Sequence, residues 1–380
     1  MWEISVVPGT KTLELFMHAR LAMRSVLILT VAVSVASNAQ HTPLDTSVDP
    51  RSIAMGESFV ATRGTLSGVI YNPANLAALK GVHVAYAQRK VNWFSPLDDF
   101  RFHQITGTMR APFAVIGVSY NRYQMGEFIV TGPSGPTPIA RARPYEHVIG
   151  LTFARSFDCG IDAGISAKMF DIVDLPTAVT TPMFLVDAGF TYSFLGCDSA
   201  TSTTAITFGL SIQNFGTYFK TMGGQFNIAS LDRPPRFLRL GVSFSNEAPG
   251  NSPLALKPFG ILFTTEVRWL MNEPTLVPNQ VTAAGFGLEV SVFEIVSLRG
   301  GGYFPPTTDV YGKVGSFTAR FGGGINIPLR KIGVDTPLRA SFEYGVIRLN
   351  ADITGPRGFN TGISSLSTFA FTLNYQNDIF

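Results

Sequence analysis

The sequence has little charge and no long membrane-spanning apolar run. Only 14% of its 380 residues are Asp, Glu, Lys or Arg, against about a quarter in soluble domains, and the mean hydropathy is +0.22. Water alone is a poor solvent for such a chain. The longest apolar stretch, residues 25–36, is shorter than the roughly 18 residues that a transmembrane helix needs. A bundle of membrane-spanning helices is therefore excluded.

Cysteine and clustered basic residues are also scarce. The two cysteines, Cys159 and Cys197, are too few for a disulfide scaffold and do not have the spacing of metal ligands. The net charge is only +3. The sequence has no run of Lys and Arg of the kind that binds along the phosphate backbone of a nucleic acid. Nucleic acid is not an expected partner.

Residues that carry catalysis are missing at recognisable spacings. The five histidines are scattered without adjacent carboxylates, so no metal site is predicted. The glycine runs 300–302 and 322–324 lack the lysine of a phosphate loop. Glycine inside a strand more often marks a bend or a close backbone approach, here to a segment inside a barrel. We predict no enzyme activity and no cofactor.

What the chain does contain is turn residues and aromatic residues, with 37 Gly, 24 Pro and 31 Phe. From Gly81 onward, stretches of about ten residues alternate in polarity and end in turn residues, the pattern of a transmembrane β-barrel. The predicted strands number about fourteen and cover residues 82–91, 101–109, 114–122, 145–155, 161–170, 184–193, 205–214, 236–245, 260–269, 282–290, 295–303, 316–326, 338–348 and 367–375. The alternative, a soluble β-sandwich, would need two sandwiches, and no linker divides the chain.

The connections between predicted strands support an antiparallel outer-membrane barrel. Such barrels have short periplasmic turns and longer outer loops. With the N-terminus in the periplasm, the odd-numbered connections should be long, and they are. Three even-numbered connections, 110–113, 156–160 and 291–294, are short, whereas the other three, 194–204, 246–259 and 327–337, are longer than this pattern requires.

One side of each predicted strand is apolar and the other is mixed. A charge facing lipid at mid-bilayer costs about 2 to 4 kcal/mol, so the charged side should face the lumen. The predicted lumen-facing charges are Arg239, Glu266, Arg268, Arg320, Arg339 and Glu343.

The N-terminus has the three parts of an export signal. Arg20 and Arg24 precede an apolar core, and the small residues at 37–39 place cleavage after Ala39. Residues 1–39 are predicted to be a signal peptide. Residues 1–16 precede a second plausible initiator methionine, Met17 or Met23, and are interpreted as an upstream extension from a mis-assigned start. The alternative is a buried helix in a soluble domain. Export predicts an outer-membrane location with lipid as a partner.

Residues 40–80 differ from the barrel, which we assign to residues 81–380, because they do not alternate. Pro73 keeps Asn72 out of the helical region but can begin a helical turn that Asn72 caps. Two blocks stand out, 54–61 with Met55 and Gly56, and 71–76 with Asn72, Pro73 and Ala74.

These blocks resemble the N-terminal hatch of FadL-like outer-membrane barrels, and most closely that of the PorV/PorQ group associated with type IX secretion. Glu57 and Asn75 stand where that group has glycine, and Asn75 is expected to take the left-handed conformation. The resemblance implies an N-terminal hatch in the lumen and a barrel that holds or shuttles protein clients through its outer loops. The alternative function is a FadL-like passive channel for hydrophobic small molecules.

Two expectations concern single positions near strand ends. Cys159 precedes the fifth predicted strand and Cys197 follows the sixth, so both should lie at the periplasmic rim, where they can form a disulfide. The terminal Phe380 resembles an assembly signal, although it is out of phase with Phe369 and Tyr375. We expect residues 369–375 to pair with the first strand.

Overall fold

The alternating segments form one closed antiparallel β-barrel of fourteen strands. The computed structural model describes residues 44, 47–90, 100–131, 138–173, 179–180, 182–194, 204–217, 221–222, 234–247, 258–271, 282–304, 317–329, 334, 336–348 and 365–375. The barrel strands are β1 (Val82–Lys90), β2 (Phe100–Arg110), β3 (Val115–Met125), β6 (Tyr145–Ser156), β7 (Ile161–Val173), β9 (Met183–Phe194), β10 (Thr204–Gly216), β12 (Phe237–Glu247), β13 (Phe259–Leu270), β14 (Thr282–Val292), β15 (Val296–Phe304), β16 (Thr318–Pro328), β17 (Leu338–Arg348) and β18 (Ser365–Tyr375). The predicted fold class and strand number are confirmed.

Four short strands lie in three of the long connections. β4 (Phe128–Thr131) pairs with β5 (Pro138–Ala142), and β8 (Val179–Thr180) pairs with β11 (Thr221–Met222). These pairs lie at the end of the barrel that carries the long loops, which we call the outer end.

Pairing of the last strand with the first closes the ring. Tyr375 lies opposite Val82 and Phe369 lies opposite Gln88, so the predicted pairing of residues 369–375 with the first strand is confirmed. Closure pairs the backbone N–H and C=O groups along the outer edges of β1 and β18. An open sheet in lipid would leave these groups without hydrogen bonds.

The barrel ladders that the structure describes contain one register shift. It lies between β9 and β10, at Ile212 and Phe215, where two residues of β10 oppose one residue of β9. Asn214 has a positive φ of 61°, and both Gln213 and Asn214 are buried. This is a β-bulge, which breaks the alternation of inward and outward side chains.

The outward face of the barrel is largely apolar. Large side chains on it stay exposed, with Leu298 at 67%, Phe184 at 59% and Phe321 at 55%. A surface of this extent is not stable in water and matches the lipid-facing band of a membrane barrel. No helix of the described residues is long and apolar enough to cross a membrane.

The residues before β1 lie inside the barrel and are nearly all buried. This inner segment, residues 47–80, contains helix α1 (Pro50–Ala54), helix α2 (Gly68–Tyr71) and a 3-10 helix (Pro73–Ala78). The Asp49 carboxylate accepts from the backbone N–H of Ser52 at 2.9 Å and so caps α1. Because α1 and α2 are each about one turn long, packing against the wall stabilises them more than their own hydrogen bonds do.

Candidate functional site

Glycines of the wall let the inner segment approach it closely. A Cβ added to Gly287 would lie 2.5 Å from the Met55 Cα, and one added to Gly301 would lie 2.7 Å from the Gly56 nitrogen. Gly322 meets the Ala54 side chain in the same way, at 2.6 Å. The glycine runs of β15 and β16 therefore mark contact between wall and segment, as the sequence suggested.

The Asn-Pro-Ala block packs on the opposite wall. The Asn72 Oδ1 atom accepts from the Ala74 N–H at 3.0 Å, and its Nδ2 atom donates to the Val60 and Phe190 carbonyls at 2.7 and 3.1 Å. Pro73 begins a 3-10 helix, and its backbone lies against Gly164, where a Cβ would be 2.5 Å away. Asn72 thus joins two parts of the inner segment to β9.

The expectation that Asn75 takes the left-handed conformation is wrong. Asn75 lies within the 3-10 helix, and its buried Nδ2 atom donates to the Phe59 carbonyl at 2.6 Å. Glu57 is the residue that takes a positive φ, 56°, directly after Gly56 at 68°. The tight turn after α1 therefore lies at Gly56 and Glu57, in the sequence block 54–61, and not at Asn75.

Four charged contacts join the inner segment to the wall. The Arg51 guanidinium donates to both oxygens of Glu289 at 2.8 and 2.9 Å. Arg63 donates to both oxygens of Asp162 on β7. The Glu57 carboxylate pairs with Arg320 on β16 at 2.6 Å. In the fourth contact, the Glu266 carboxylate of β13 accepts from segment backbone N–H groups.

Glu266 is the centre of a buried polar network. One carboxylate oxygen accepts from the N–H groups of Phe59 and Val60, both at 2.9 Å, and the other from Arg239 at 2.6 Å. Arg239 also donates to the Gln213 Oε1 atom at 2.7 Å, and its Cζ atom lies 5.0 Å from the centre of the Tyr71 ring. Arg239 is 1% exposed and Glu266 3%, so neither charge has water as a substitute partner.

Three arginines surround the Glu57 carboxylate. Burial alone raises the pKa of Glu57, but Arg320, with Arg89 and Arg268, outweighs that effect and lowers the pKa to about 2. A carboxyl whose pKa is lowered on folding stabilises the folded state above its ordinary pKa near 4.5, and the contribution is lost as pH falls toward 2. The pair is therefore intact at neutral pH.

The structure places the predicted lumen-facing charges on the inner face. Arg239, Glu266, Arg268 and Arg320 are buried there, and Arg268 donates to the Tyr303 hydroxyl at 2.8 Å. Glu343 and Arg339 are half-buried at inward-facing positions of β17, where Glu343 pairs with Arg299 at 3.2 Å and Arg339 lies 3.5 Å from Glu294.

Sequence reasoning missed Arg51, Arg63, Asp162, Glu289 and Arg299. Glu289 and Arg299 occupy the inward side of predicted strands, so the alternation used for the other charges also identifies them. Asp162 has the same signal on β7. Arg51 and Arg63 lie in a segment without periodicity, where residue type alone gives no orientation.

Apolar side chains form two clusters on the inner wall over the outer half of β1, β2, β6, β7, β9 and β18, among the buried charges of Arg89, Lys168 and Asp187. We call the apolar side chains of these two clusters the apolar wall. Leu44 packs in one cluster, and Val48 of the inner segment packs in a second. The wall residues in these clusters are Ala87, Phe102, Val148, Phe170, Met183, Leu185 and Ala370, with Tyr123 and Ile172 at the margin. The charges predicted from the sequence all lie on β12 to β17, so the buried ion pair of Lys168 with Asp187 beside these clusters was missed.

A polar cavity of about 230 Å³ lies at the other end of the barrel, which we call the periplasmic end because the sequence predicts that it faces the periplasm. It is lined by the ion-paired Arg51, Arg63 and Glu289 and by Glu247 and serine side chains. Its volume is below the range of about 300 to 1,000 Å³ usual for small-molecule sites. Within the described part of the chain, no group of three or more His, Cys, Asp or Glu residues could bind a metal ion.

Several predictions fall on residues outside those that the structure describes. They are the signal peptide at 1–39, Cys197 and Phe380. Cys159 is exposed in a turn before β7, and its pairing with Cys197 stays a prediction.

Comparison with known proteins gives structural similarities only. No protein-family model and no curated protein matches the chain. The toluene transporter TodX of Pseudomonas putida is similar with a TM-score of 0.48 and 10% identity, over 90% of this chain and 100% of TodX. The CymD monoaromatic hydrocarbon channel has a TM-score of 0.49 and 12% identity, over 87% and 98%. A FadL homologue of Pseudomonas aeruginosa has a TM-score of 0.44 and 8% identity, over 87% and 98%. At these values the similarities do not assign a function.

Proposed function

We propose that this chain is a FadL-like outer-membrane barrel through which hydrophobic small molecules cross passively, and that the apolar wall is their binding surface. The observation that carries the proposal is the apolar wall itself. A water-filled pore is lined by polar side chains, whereas Phe102, Phe170, Met183 and Leu185 point inward here and are at least nine-tenths buried. Small-molecule sites are lined mainly by such residues.

The occupants of the apolar wall in this structure belong to the chain itself. Leu44 is 5% exposed and Val48 is 1% exposed, and both lie before α1. They cover the surface that a hydrophobic ligand would contact. A ligand must therefore compete with Leu44 and Val48, and the inner segment acts as a hatch.

The β-bulge of β10 gives a candidate exit toward the membrane. It lies at Gln213 and Asn214, opposite Asp187 and close to the wall residue Leu185 in the β9 ladder. The Asn214 N–H donates to the Asp187 carboxylate at 2.8 Å, in place of a regular ladder bond. Because a bulge interrupts strand pairing, this part of the wall opens at lower cost than a regular ladder.

Binding of an apolar fluorescent probe by the purified barrel tests this function. Leu44→Ala should tighten binding of N-phenyl-1-naphthylamine several-fold, because it uncovers part of the apolar wall. Leu185→Asp should weaken binding at least tenfold, since a carboxylate within an apolar site disfavours the probe. The measurement is a fluorescence titration in detergent, after heat-modifiable gel mobility has shown that each variant is folded.

Matched variants separate the wall from the rest of the molecule. Leu185→Met keeps an apolar side chain of similar volume and should bind as the parent does. Phe184→Leu changes the neighbouring lipid-facing position and should also leave binding unchanged. If Leu44→Ala and Leu185→Asp both bind the probe with the parent affinity, the apolar wall is not the binding surface.

A second candidate function is a type IX secretion component of the PorV/PorQ kind, which holds or shuttles protein clients. The observation that favours it is the β4–β5 hairpin at the outer end, where Ile129 is 60% exposed. Glu127 pairs with Arg141 and Arg143 at 2.8 and 2.6 Å and fixes the hairpin's shape. Recovery of secretion subunits with the parent barrel, but not with an Ile129→Asp variant, from solubilised outer membrane would support this function.

A further inference from the structure

Ionisable side chains on the outward face of the barrel are concentrated in one sector near the outer end. At outward-facing positions, strands β9 to β16 as described carry no Asp, Glu, Lys, Arg or His. The neighbouring sector carries His103 on β2, Arg122 on β3, His147 on β6 and Asp171 on β7 at one level, and Arg101 two residues nearer the outer end of β2. We call Arg101, His103, Arg122 and His147 the basic sector.

The strand register places His103, Arg122 and His147 in a single row, with Arg101 opposite Gln124, one outward position above it. Gln88 lies opposite His103, His103 opposite Arg122, and Arg122 opposite His147, with Asp171 at the end of the row. Adjacent strands are about 4.8 Å apart, so the row from Gln88 to His147 spans roughly 14 Å. Neighbouring basic side chains are thus close enough to contact one head group together.

The two arginines of the basic sector have no carboxylate partner in the described part of the chain. Neither Arg101 nor Arg122 forms an ion pair there, and the Arg122 Nε atom is buried without an acceptor. The Arg122 guanidinium lies 4.1 Å from the centre of the Tyr145 ring. A ring face orients a guanidinium but does not neutralise it, so both positive charges are available to an external anion.

Aromatic side chains place the row at the membrane interface. Tyr86 bonds to the His103 Nδ1 atom at 2.9 Å, and the His147 ring lies 6.1 Å from that of Tyr120 and 5.7 Å from that of Tyr145. Tyrosine is enriched at the level of lipid head groups in membrane barrels. Directly below the row, toward mid-membrane, the outward residues are Ile105 and Ile149, which are 49% and 42% exposed.

We propose that the basic sector binds the phosphate groups of an anionic lipid in the outer leaflet. Arginine binds phosphate with two parallel hydrogen bonds, and Arg101 and Arg122 are the two permanent cations in the sector. The acyl chains of the lipid then pack on the isoleucines and tyrosines below. This lipid contact lies on the outside of the barrel, so it is independent of the ligand proposed for the lumen.

Native mass spectrometry of the intact barrel with diphosphorylated lipid A tests the proposal. The parent should retain lipid A at least tenfold more tightly than the Arg101→Gln/Arg122→Gln double variant. Lipid A without its phosphates should bind parent and double variant equally. If the double variant does not fold, the single Arg101→Gln variant replaces it in the test, because Arg101 is exposed and forms no ion pair in the described structure. Arg101→Gln alone should weaken lipid A binding several-fold.

Arg155 provides the matched control. It also faces outward on β6 and lies over an aromatic ring, Phe157, with 5.5 Å between its Cζ atom and the ring centre, but it is at the periplasmic end. Arg155→Gln should leave lipid A binding unchanged. The proposal is overturned if Arg101→Gln and the double variant retain lipid A like the parent. It is equally overturned if Arg155→Gln weakens binding as much as they do, because net charge would then explain the effect.

Discussion

A Glu266→Ala barrel should lose about 3 to 5 kcal/mol of stability, the usual cost of removing one partner from a buried ion pair. The substitution removes the Glu266 carboxylate from Arg239, which is 1% exposed. It also leaves the N–H groups of Phe59 and Val60 without their acceptor, and each buried unsatisfied donor costs about 1 to 3 kcal/mol. The measurement is the urea midpoint of the heat-modifiable band, compared between parent and variant barrels.

Two further variants show whether burial is the cause. Glu266→Gln keeps an oxygen acceptor for the backbone N–H groups and removes only the charge, so its loss should be intermediate. Glu127→Gln breaks an ion pair whose arginine partners, Arg141 and Arg143, are 73% and 68% exposed, and such pairs contribute about 0 to 1 kcal/mol. Equal losses for Glu266→Ala and Glu127→Gln would contradict a structural role for the buried network.

Much of the fold could be predicted because the alternation of polar and apolar residues along a strand can be recognised from the local sequence alone. Arg239, Glu266 and Arg268 share the inward side of their strands whatever partner each one has, so the bilayer's cost for charge is enough to orient them. The closing pair of β1 and β18 follows from the same alternation at residues 369–375. The predictable part is thus the direction of side chains within each strand.

The partners of those charges could not be predicted, because they depend on where a non-periodic segment lies inside the closed ring. Glu57 was noted only as a replacement for glycine, yet it takes the left-handed conformation and pairs with Arg320, 263 positions away. Arg51 and Arg63 give no periodic signal at all. The apolar wall was missed for a related reason, since an inward apolar residue on an amphipathic strand looks like a lipid-facing one unless the barrel's register is known.

The largest local effect in the inner segment should come from Gly56→Ala, which we expect to detach the segment from the wall or to block assembly. Gly56 has a φ of 68°, a region that costs other residues about 1 to 2 kcal/mol. In addition, a Cβ there would overlap the carbonyl oxygens of Gly302 and Phe286 and would lie 3.0 Å from the Phe286 nitrogen. Backbone atoms of a paired strand cannot move aside without breaking the β14–β15 ladder.

Gly64→Ala separates the two causes, because Gly64 has nearly the same φ, 67°, while its nearest neighbour to an added Cβ is the Ala78 side chain at 3.7 Å. It should therefore show only the conformational cost and keep the segment in place. Limited trypsin digestion of folded barrels measures the difference, since Arg51 and Arg63 are protected while the segment stays against the wall. We expect cleavage at both arginines in Gly56→Ala and protection in Gly64→Ala. Equal protection of the two variants would mean that contact with the β14–β15 backbone does not position the segment, and the glycine-lined wall would then have no role in closing the lumen.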